Sequence, residues 1–333
     1  MTTIKDVSQA SGVSVGTISR YLNGYTVKKE NQLLIEKAID ELKYEVNPIA
    51  RGLKTNKTYT VGVLVPSITD IFSNQVIEGM EEIFDSRDYS LIICNSRNSL
   101  KGEIDKLQFL KQKRVDGIIM MPVSDHSTHV QETIDAGIPI VLIDRLLNEV
   151  VCDAVISDNI NGAYKAVEYL ISEGHRRIGI ISGPRNVFTA MERLEGYKRA
   201  LSDYQIPFEE SLIVYAEYKK GSGLEAYEQL FNLEDRPSVI FATNYETTMT
   251  GVKYFMENSV EIGDDVSFFG FDNTDVFQML TPSISTVFQS TYEIGECAAG
   301  ILLRRIGSDY NGFPEIYRLK TQLVDGTSVK KLN

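Results

Sequence analysis

The chain has 333 residues, 43% of them hydrophobic, which is enough to bury a sizeable core in more than one domain. Its net charge of −12 argues against nucleic acid as a partner of the whole surface, but residues 1–57 carry nine Lys and Arg against six Asp and Glu, a net charge of +3. The remainder carries 25 basic and 40 acidic residues, a net charge of −15, so attraction for phosphate is confined to the N-terminal part.

The N-terminal segment predicts three helices. Thr3 and Asp6 have the spacing of a capping box, so a helix is expected to begin directly after Thr3. Gly12 suits the left-handed position that ends a helix, and Ser14 can cap a second helix after a short turn. Apolar residues at helical spacing predict a third helix over residues 30–44. Two short helices joined by a Gly-containing turn are typical of the helix-turn-helix, whose second helix enters the major groove.

A set of short motifs carries a family resemblance. They are Thr-Ile-Lys-Asp-Val at 3–7, Gly-Val-Ser at 12–14, Thr-Ile-Ser-Arg at 17–20, Leu-Asn at 22–23 and Asn-Pro-Ile-Ala-Arg-Gly-Leu at 47–53. Together they resemble the headpiece and hinge of the lactose and galactose repressor (LacI/GalR) family of bacterial transcriptional regulators. The resemblance implies an all-α, helix-turn-helix DNA-binding headpiece over residues 1–46, followed by a hinge helix or linker over residues 47–58.

Several residues of these two segments are expected to contact DNA. Arg20 should donate a bidentate pair to a guanine, and Val15 should make an apolar contact such as one to a thymine methyl. The resemblance places Leu53 in the minor groove, on a short helix that begins at Pro48 and folds only on the operator. The expected DNA contacts are Thr3, Ser14, Val15, Gly16, Thr17, Ser19, Arg20, Asn23, Ala50 and Leu53.

From Thr60 onward, apolar strand-like runs alternate with helical patterns. Strands are predicted at 60–66, 91–94, 117–121, 139–143, 177–182, 212–216, 238–242, 266–271 and 285–288. Helices are predicted at 74–86, 102–112, 127–136, 160–173, 190–204, 223–231, 246–258 and 292–305. Continuous apolar strands that alternate with helices predict parallel sheets covered on both faces. Two such series predict an α/β core of two doubly wound lobes, which resembles the periplasmic sugar-binding proteins.

The expected core is an effector-binding and dimerisation domain over residues 59–333. Lobe one is expected to take about 59–158 and 286–317, and lobe two about 159–285 and 318–333. The segments that follow Phe271, including an extended tail at 316–327, are expected to cross between the lobes and to form edge strands.

In open parallel sheets ligands bind beyond the carboxyl ends of the strands, so the residues that follow each strand are candidates for a site in the cleft. Carboxylates and a guanidinium suit sugar hydroxyls, and an aromatic ring covers the apolar face of a pyranose. The family also places an effector-binding Arg at the position of Arg193. The expected effector contacts are Phe72, Asp144, Arg193, Tyr218, Asn244, Asp272 and Gln289. For Asp144 and Asp272 the alternative is a turn cap, for Arg193 it is a solvated charge on a helix, and for the two aromatic residues it is an ordinary core position.

Three positions depart from the family pattern. Ser73 stands where a second aromatic residue often follows the position of Phe72, and Tyr245 stands where Asp commonly follows Asn244. Both changes leave the identity of the effector open. Lys28 replaces the Ser or Thr that often caps the third headpiece helix.

The remaining reactive residue types predict no further chemistry. The three histidines lie in polar surroundings and are expected at the surface, at His126, His129 and His175. The three cysteines are far apart and are expected to be buried free thiols in a reducing cytoplasm, at Cys94, Cys152 and Cys297. The sequence shows no Ser-His-Asp set, zinc spacing or phosphate-binding Gly loop, so we expect neither an enzyme nor a metal or cofactor.

We therefore expect a cytoplasmic, homodimeric, sequence-specific regulator that represses carbohydrate-utilisation genes. A sugar or sugar derivative in the cleft would tilt the lobes and change the separation of two headpieces on a pseudo-palindromic, double-stranded operator. No apolar run approaches the ~20 residues of a membrane span, and no signal peptide is visible, so no membrane partner is expected. Three alternatives stay open: a nucleobase effector, a phosphoprotein corepressor, and a sugar-binding protein without a DNA role.

Overall fold

The computed structural model describes residues 2–22, 24–44, 57–217, 222–307 and 312–332. The chain divides into two compact units, residues 1–59 and residues 60–333. Most of the expected hinge, including Pro48, Ala50 and Leu53, lies outside the described residues, so its helix stays a prediction.

The first unit contains α1 (Ile4–Ser11), α2 (Val15–Leu22) and α3 (Lys29–Leu42). The Asp6 carboxylate accepts hydrogen bonds from the backbone N–H and the hydroxyl of Thr3, at 2.7 and 2.8 Å, which confirms the capping box. Gly12 ends α1 with a φ of 68°, and the Ser14 hydroxyl accepts a bond from the Thr17 N–H at the start of α2. The Lys28 side chain makes no capping bond to α3, as its departure from the family pattern predicts.

The headpiece core is small and apolar. Its buried members are Val7, Val13, Ile18, Ile35 and Ala38. Leu34, which lies on the predicted apolar stripe of α3, is instead 48% exposed, because Ile35 and Ala38 set the inward face. Tyr21 donates its hydroxyl proton to Glu36 at 2.7 Å and so links α2 to α3.

The second unit is built on two six-stranded sheets. Sheet one contains β1 (Thr60–Val65), β2 (Ser90–Asn95), β3 (Gly117–Met120), β4 (Ile140–Ile143), β5 (Asp153–Ser157) and β11 (Ile316–Leu319), in the order β11-β5-β4-β3-β1-β2. Sheet two contains β6 (Ile178–Ser182), β7 (Ile213–Tyr215), β8 (Val239–Ala242), β9 (Ser267–Phe271), β10 (Ser285–Phe288) and β12 (Gln322–Val324), in the order β12-β10-β9-β8-β6-β7. The pairs are parallel apart from β10 with β12.

Helices pack on both faces of each sheet and confirm two doubly wound lobes. Lobe one carries α4 (Ile71–Asp85), α5 (Leu100–Gln112), α6 (Thr128–Asp135) and α12 (Thr291–Ile306). Lobe two carries α7 (Asn159–Ser172), α8 (Phe188–Asp203), α9 (Leu224–Phe231), α10 (Tyr245–Glu257) and the short α11 (Asp275–Met279). In lobe two, α7 and α8 cover one face of the sheet around Tyr197, and α9 and α10 cover the other around Tyr227.

The sheet pairings correct the expected lobe boundaries. Strand β10 pairs with β9 and β12, so Thr286 and Val287 belong to lobe two and not to lobe one. Strand β11 stays in sheet one through Leu319, two residues beyond the expected boundary. Strand β5 was missed by the sequence analysis, because only three apolar residues stand between Asp153 and Ser157. The short helix α11 was missed as well.

The chain crosses between the lobes three times. The crossings are residue 158 between β5 and α7, residues 289–290 between β10 and α12, and residues 320–321 between β11 and β12. The carboxyl ends of the parallel strands in both sheets lie on the side of these crossings, where the two lobes enclose a cleft.

Candidate functional site

One face of α2 is open to solvent. Of the expected DNA contacts, those exposed are Thr3, Ser14, Val15, Gly16 and Arg20, and those half-buried are Thr17 and Ser19. No atom lies within 4 Å of a Cβ built at Gly16, so the first turn of α2 leaves room for a close approach. Ile18 is fully buried on the opposite face. An amphipathic second helix that presents small and polar side chains has the form needed to read a major groove. Asn23 lies outside the described residues.

A pocket opens between the lobes, with a cavity volume of about 20 Å³. Lobe one contributes the first turns of α4, and lobe two contributes the loop after β9 and the start of α10. The lining residues are Ile71, Phe72, Gln75, Tyr245, Asp272, Asn273, Thr274, Gln289 and Thr291. Three of the seven expected effector contacts therefore line it: Phe72, Asp272 and Gln289.

Asp272 is held in place from two directions. It has a φ of 69°, directly after β9. Its Oδ2 accepts a hydrogen bond from the backbone N–H of Tyr245 at 2.9 Å, and its Oδ1 accepts one from the amide of Gln289. Because Gln289 lies on a crossing segment, this carboxylate links the start of α10 to the connection between the lobes.

Two buried polar atoms at the pocket have no hydrogen-bond partner among the described residues. They are Oε1 of Gln289 and the hydroxyl oxygen of Thr274. An unpaired buried acceptor costs free energy comparable to a lost hydrogen bond, so such atoms call for a partner from outside the chain. A ligand that donates to the Gln289 oxygen, and that donates to or accepts from the Thr274 hydroxyl, would supply it.

Three carboxyl groups influence one another across the cleft. Burial raises the pKa of Asp144 above its usual range; the guanidinium groups of Arg145 and Arg193 oppose that rise, and the charge of Asp272 adds to it. Burial likewise raises the pKa of Asp70, which also feels Asp272 and Asp144. The cleft is therefore acidic, and its charge is poorly solvated.

Ser73 has a role that explains one departure from the family pattern. Asp70 caps α4 by accepting hydrogen bonds from the backbone N–H of Ser73 at 3.1 Å and from its hydroxyl at 2.8 Å. Ser73 is fully buried. An aromatic ring at this position would remove one of the two bonds to the Asp70 carboxylate.

Arg193 is 3% exposed and lies on α8 in lobe two. Its guanidinium group stacks on the ring of Phe271, 3.8 Å from the centroid. Its Nε donates to Oδ1 of Asn159 at 2.8 Å, and its Nη1 donates to the carbonyl of Thr243 at 2.6 Å. These bonds use two of the five N–H donors of the group. The alternative of a solvated surface charge is wrong for this residue.

The other expected effector contacts have different settings. Asn244 caps α10 through Oδ1, which accepts from the backbone N–H of Thr247 at 3.0 Å, and it does not line the pocket. Asp144 follows β4 with a φ of 66° and bonds to Arg145. Tyr218 lies outside the described residues, so its stacking role stays a prediction.

Sequence reasoning missed part of the pocket and the partner of Arg193 beside it. Gln75 follows Phe72 by three residues on α4, and that spacing was the available signal for it. Asn159 was missed because it depends on β5, which was itself overlooked. Tyr245 was noted as a departure but was not assigned to the site.

Two of the histidine predictions are wrong. His129 is 8% exposed and its Nε2 lies 2.7 Å from Oε1 of the buried Glu103, whose other oxygen accepts from the Val123 N–H. His175 is fully buried, because its ring bonds to the Ser238 hydroxyl and to a distant backbone carbonyl. His126 is exposed as expected.

Among the cysteines, Cys94 is buried, and the other two are half-buried rather than buried as expected. All three are free thiols.

Within the described ranges, no cluster of His, Cys, Asp and Glu could hold a metal ion. None of the described helices combines the length and the apolar character needed to cross a bilayer.

Comparison with known proteins matches both units. The family model described as "Bacterial regulatory proteins, lacI family" matches residues 3–47, and the model described as "Periplasmic binding proteins and sugar binding domain of LacI family" matches residues 58–311. The HTH-type transcriptional repressor PurR of Vibrio atlanticus (strain LGP32) is 34% identical over 336 residues, which cover 100% of each chain.

Two solved structures are similar over the whole length. The structure of the transcriptional regulator CelR with cellobiose has 27% identity and a TM-score of 0.75, and the match covers 98% of this chain and 100% of that chain. The Lac repressor dimer bound to operator and the anti-inducer ONPF has a TM-score of 0.84 at 22% identity and 98% coverage of each chain, which shows a shared fold.

Proposed function

Since the chain belongs to the LacI family of bacterial regulatory proteins, we propose that it is a repressor whose operator binding responds to a small, neutral, hydrogen-bond-donating molecule held between its two lobes. The chain is a DNA-binding transcriptional regulator with a helix-turn-helix headpiece. The observation that carries the effector site is the pair of unpartnered buried acceptors, on Gln289 and Thr274, at a pocket between the lobes.

The charge of the pocket favours a neutral effector. Asp272 is the one charged residue in its lining, and Asp70 and Asp144 add negative charge nearby. The two cleft cations, Arg145 and Arg193, already donate hydrogen bonds to protein atoms. A phosphate or carboxylate on the ligand would meet Asp272 in the lining and the charges of Asp70 and Asp144 nearby, whereas sugar hydroxyls can donate to all of these acceptors.

The hydrogen-bonding groups of the pocket favour a sugar. Its lining combines a carboxylate, amides and hydroxyl groups with the rings of Phe72 and Tyr245, so we propose a neutral monosaccharide or a compact derivative. The relative CelR is described in complex with a sugar, cellobiose, which supports this class. A nucleobase is the second candidate, because Phe72 and Tyr245 both line the pocket and aromatic rings suit a planar base.

The remaining parts of the proposal follow from the family. We propose a homodimer that binds a pseudo-palindromic operator, as the Lac repressor relative is described as a dimer on its operator. Because the partner is genomic DNA, the cytoplasm is the expected location. We propose no catalytic activity, since the cleft residues bind and orient a ligand and the relatives are regulators.

The test is a thermal-shift screen of the full chain against neutral sugars, uronates, sugar phosphates and purine bases. A ligand that binds only the folded state at 100 times its Kd adds about 2.7 kcal/mol of stability, a shift of several degrees for a domain of this size. We expect neutral sugars to raise the Tm and Asp272→Ala to remove the shift. A response to uronates or sugar phosphates alone would overturn the neutral class, and a response to purines alone would establish the second candidate.

A further inference from the structure

The carboxylate of Glu192 contacts both lobes beside two of the crossings. Its Oε1 accepts a hydrogen bond from Nη1 of Arg318 at 2.8 Å, and Arg318 lies on β11 in sheet one. Its Oε2 accepts from Nδ2 of Asn159 at 3.2 Å, at the start of α7 and directly after the first crossing. Glu192 itself lies on α8 in lobe two and is 8% exposed. The two oxygens are therefore divided between the lobes.

The same network reaches the effector cleft. Asn159 is fully buried, and its Oδ1 accepts the bond from Nε of Arg193. Its Nδ2 also donates to the carbonyl of Ser157 at the end of β5, so both ends of the amide are engaged. A continuous series of hydrogen bonds thus runs from Arg318 in sheet one through Glu192 and Asn159 to Arg193.

We propose that Glu192 is a positioning residue that transmits the state of Arg193 to the junction between the lobes. A ligand atom that draws the Arg193 guanidinium away from Asn159 leaves the amide free to turn, and Glu192 then loses one of its two donors. The bond to Arg318 changes with it, and the contact of lobe two with β11 changes in turn. Arg318 is 40% exposed, so water can solvate its guanidinium group when the bridge to Glu192 breaks during a lobe motion. The inference rests on the proposed function and on the expectation, from the family resemblance, that Arg193 contacts the effector.

Two variants remove the bridge from opposite sides. Glu192→Gln keeps the size of the side chain but replaces one acceptor oxygen by an NH2 donor, so the separate oxygens that accept from Arg318 and from Asn159 are no longer both present. Arg318→Gln removes the same bridge from the more exposed partner and serves if Glu192→Gln folds poorly. Glu195→Gln is the matched control, because Glu195 lies on the same helix and pairs with Arg199 within that helix, at 2.7 Å.

The readout is the distance between the lobes, measured by pulsed electron paramagnetic resonance on the full chain without ligand. Spin labels at Lys101→Cys on α5 and Lys253→Cys on α10 report the two lobes, in a parent whose three native cysteines are replaced by Ala. Dilution with unlabelled protein removes distances between copies. Arg193→Gln stands in for an effector that withdraws the guanidinium group.

Glu192→Gln and Arg318→Gln should displace the mean distance by the same amount, and Glu195→Gln should leave it at the parent value. Arg193→Gln should displace the distance in the parent and add nothing in the Glu192→Gln background, a non-additivity that a merely stabilising residue would not show. Parent-like distances in both bridge variants would overturn the proposal, as would an undiminished Arg193→Gln displacement without Glu192. Because no ligand is present, a screen without binders would refute the proposed effector and leave this result standing.

Discussion

Replacing Asp144 by Asn should stabilise the folded protein at neutral pH and leave its stability unchanged in acid. Burial raises the pKa of this carboxyl group above its unfolded value, although Arg145 and Arg193 oppose the rise. A group with a raised folded-state pKa contributes stability that is complete below the unfolded pKa, about 3.9 for Asp, and that is lost as the pH rises through the folded pKa. Asn carries no charge at any pH, and it tolerates the φ of 66° at this position.

The stability gain of Asp144→Asn depends on the titration of a single proton, which limits its size. The gain in unfolding free energy of Asp144→Asn over the wild type can grow by at most about 1.4 kcal/mol per pH unit, and it levels off above the folded-state pKa. Each kcal/mol corresponds to a Tm shift of about 2–4 °C in a domain of roughly this size. Thermal unfolding of both proteins between about pH 4 and about pH 8 measures the difference in their unfolding free energies at each pH.

Asp264→Asn, whose expected effect on stability has the opposite sign, serves as the control. A hydrogen bond from Lys330 lowers the pKa of the exposed Asp264, so its contribution is present above the unfolded pKa and is lost as the pH falls through the folded pKa. Asp264→Asn should therefore be slightly less stable than the wild type at neutral pH and equal to it in acid. If Asp144→Asn behaves in the same way as this control, the bond from Arg145 outweighs burial, and the account of cleft charge is refuted.

Four further changes test other parts of the molecule. Arg20→Ala should lose about 1–3 kcal/mol of preference for operator over scrambled DNA in competition binding and keep salt-dependent non-specific binding; unchanged selectivity would remove its base-reading role. Gly16→Ala should stabilise α2 by about 0.5–1 kcal/mol, since the new methyl meets no atom within 4 Å; faster amide exchange in α2 would contradict this. Gly295→Ala should cost about 1–3 kcal/mol in urea unfolding, because its Cβ would overlap the Val76 carbonyl oxygen; wild-type stability would argue against this close helix contact. Leu53→Ala should weaken operator binding and reduce the DNA bend, and amide exchange across 47–55 should slow only on the operator; protection without DNA would refute coupled folding.

Local pattern predicted most of the fold. The capping box at Thr3 and Asp6, the left-handed Gly12 and the alternation of apolar strands with helices each depend on neighbours within a few positions. Strand β5 has only three apolar residues of its own, and its first residue is held from far along the chain, where Arg305 donates two hydrogen bonds to Asp153, at 2.7 and 2.8 Å.

The cleft was predicted only in part, for the same reason. The rule that ligands lie beyond strand ends found Asp272, and the family resemblance pointed to Arg193. The strand-end rule could not show that the Asn244 side chain caps α10, because capping depends on the direction in which that side chain points. Nor could it find Asn159, which meets Arg193 from 34 residues away across two helices. The buried state of His175 likewise depends on a carbonyl 155 residues later.

Control of operator binding by a small molecule in the cleft is tested most directly by one titration. The full chain is titrated onto a duplex operator, selected with the same protein from random DNA, with and without the neutral sugar that gives the largest thermal shift. The account predicts that saturating sugar changes the operator Kd about 5–150-fold, that operator changes the sugar affinity by the same factor, and that Asp272→Ala abolishes the response while its operator affinity stays at the wild-type value. An operator Kd that is identical with and without a sugar known to bind the cleft would contradict it.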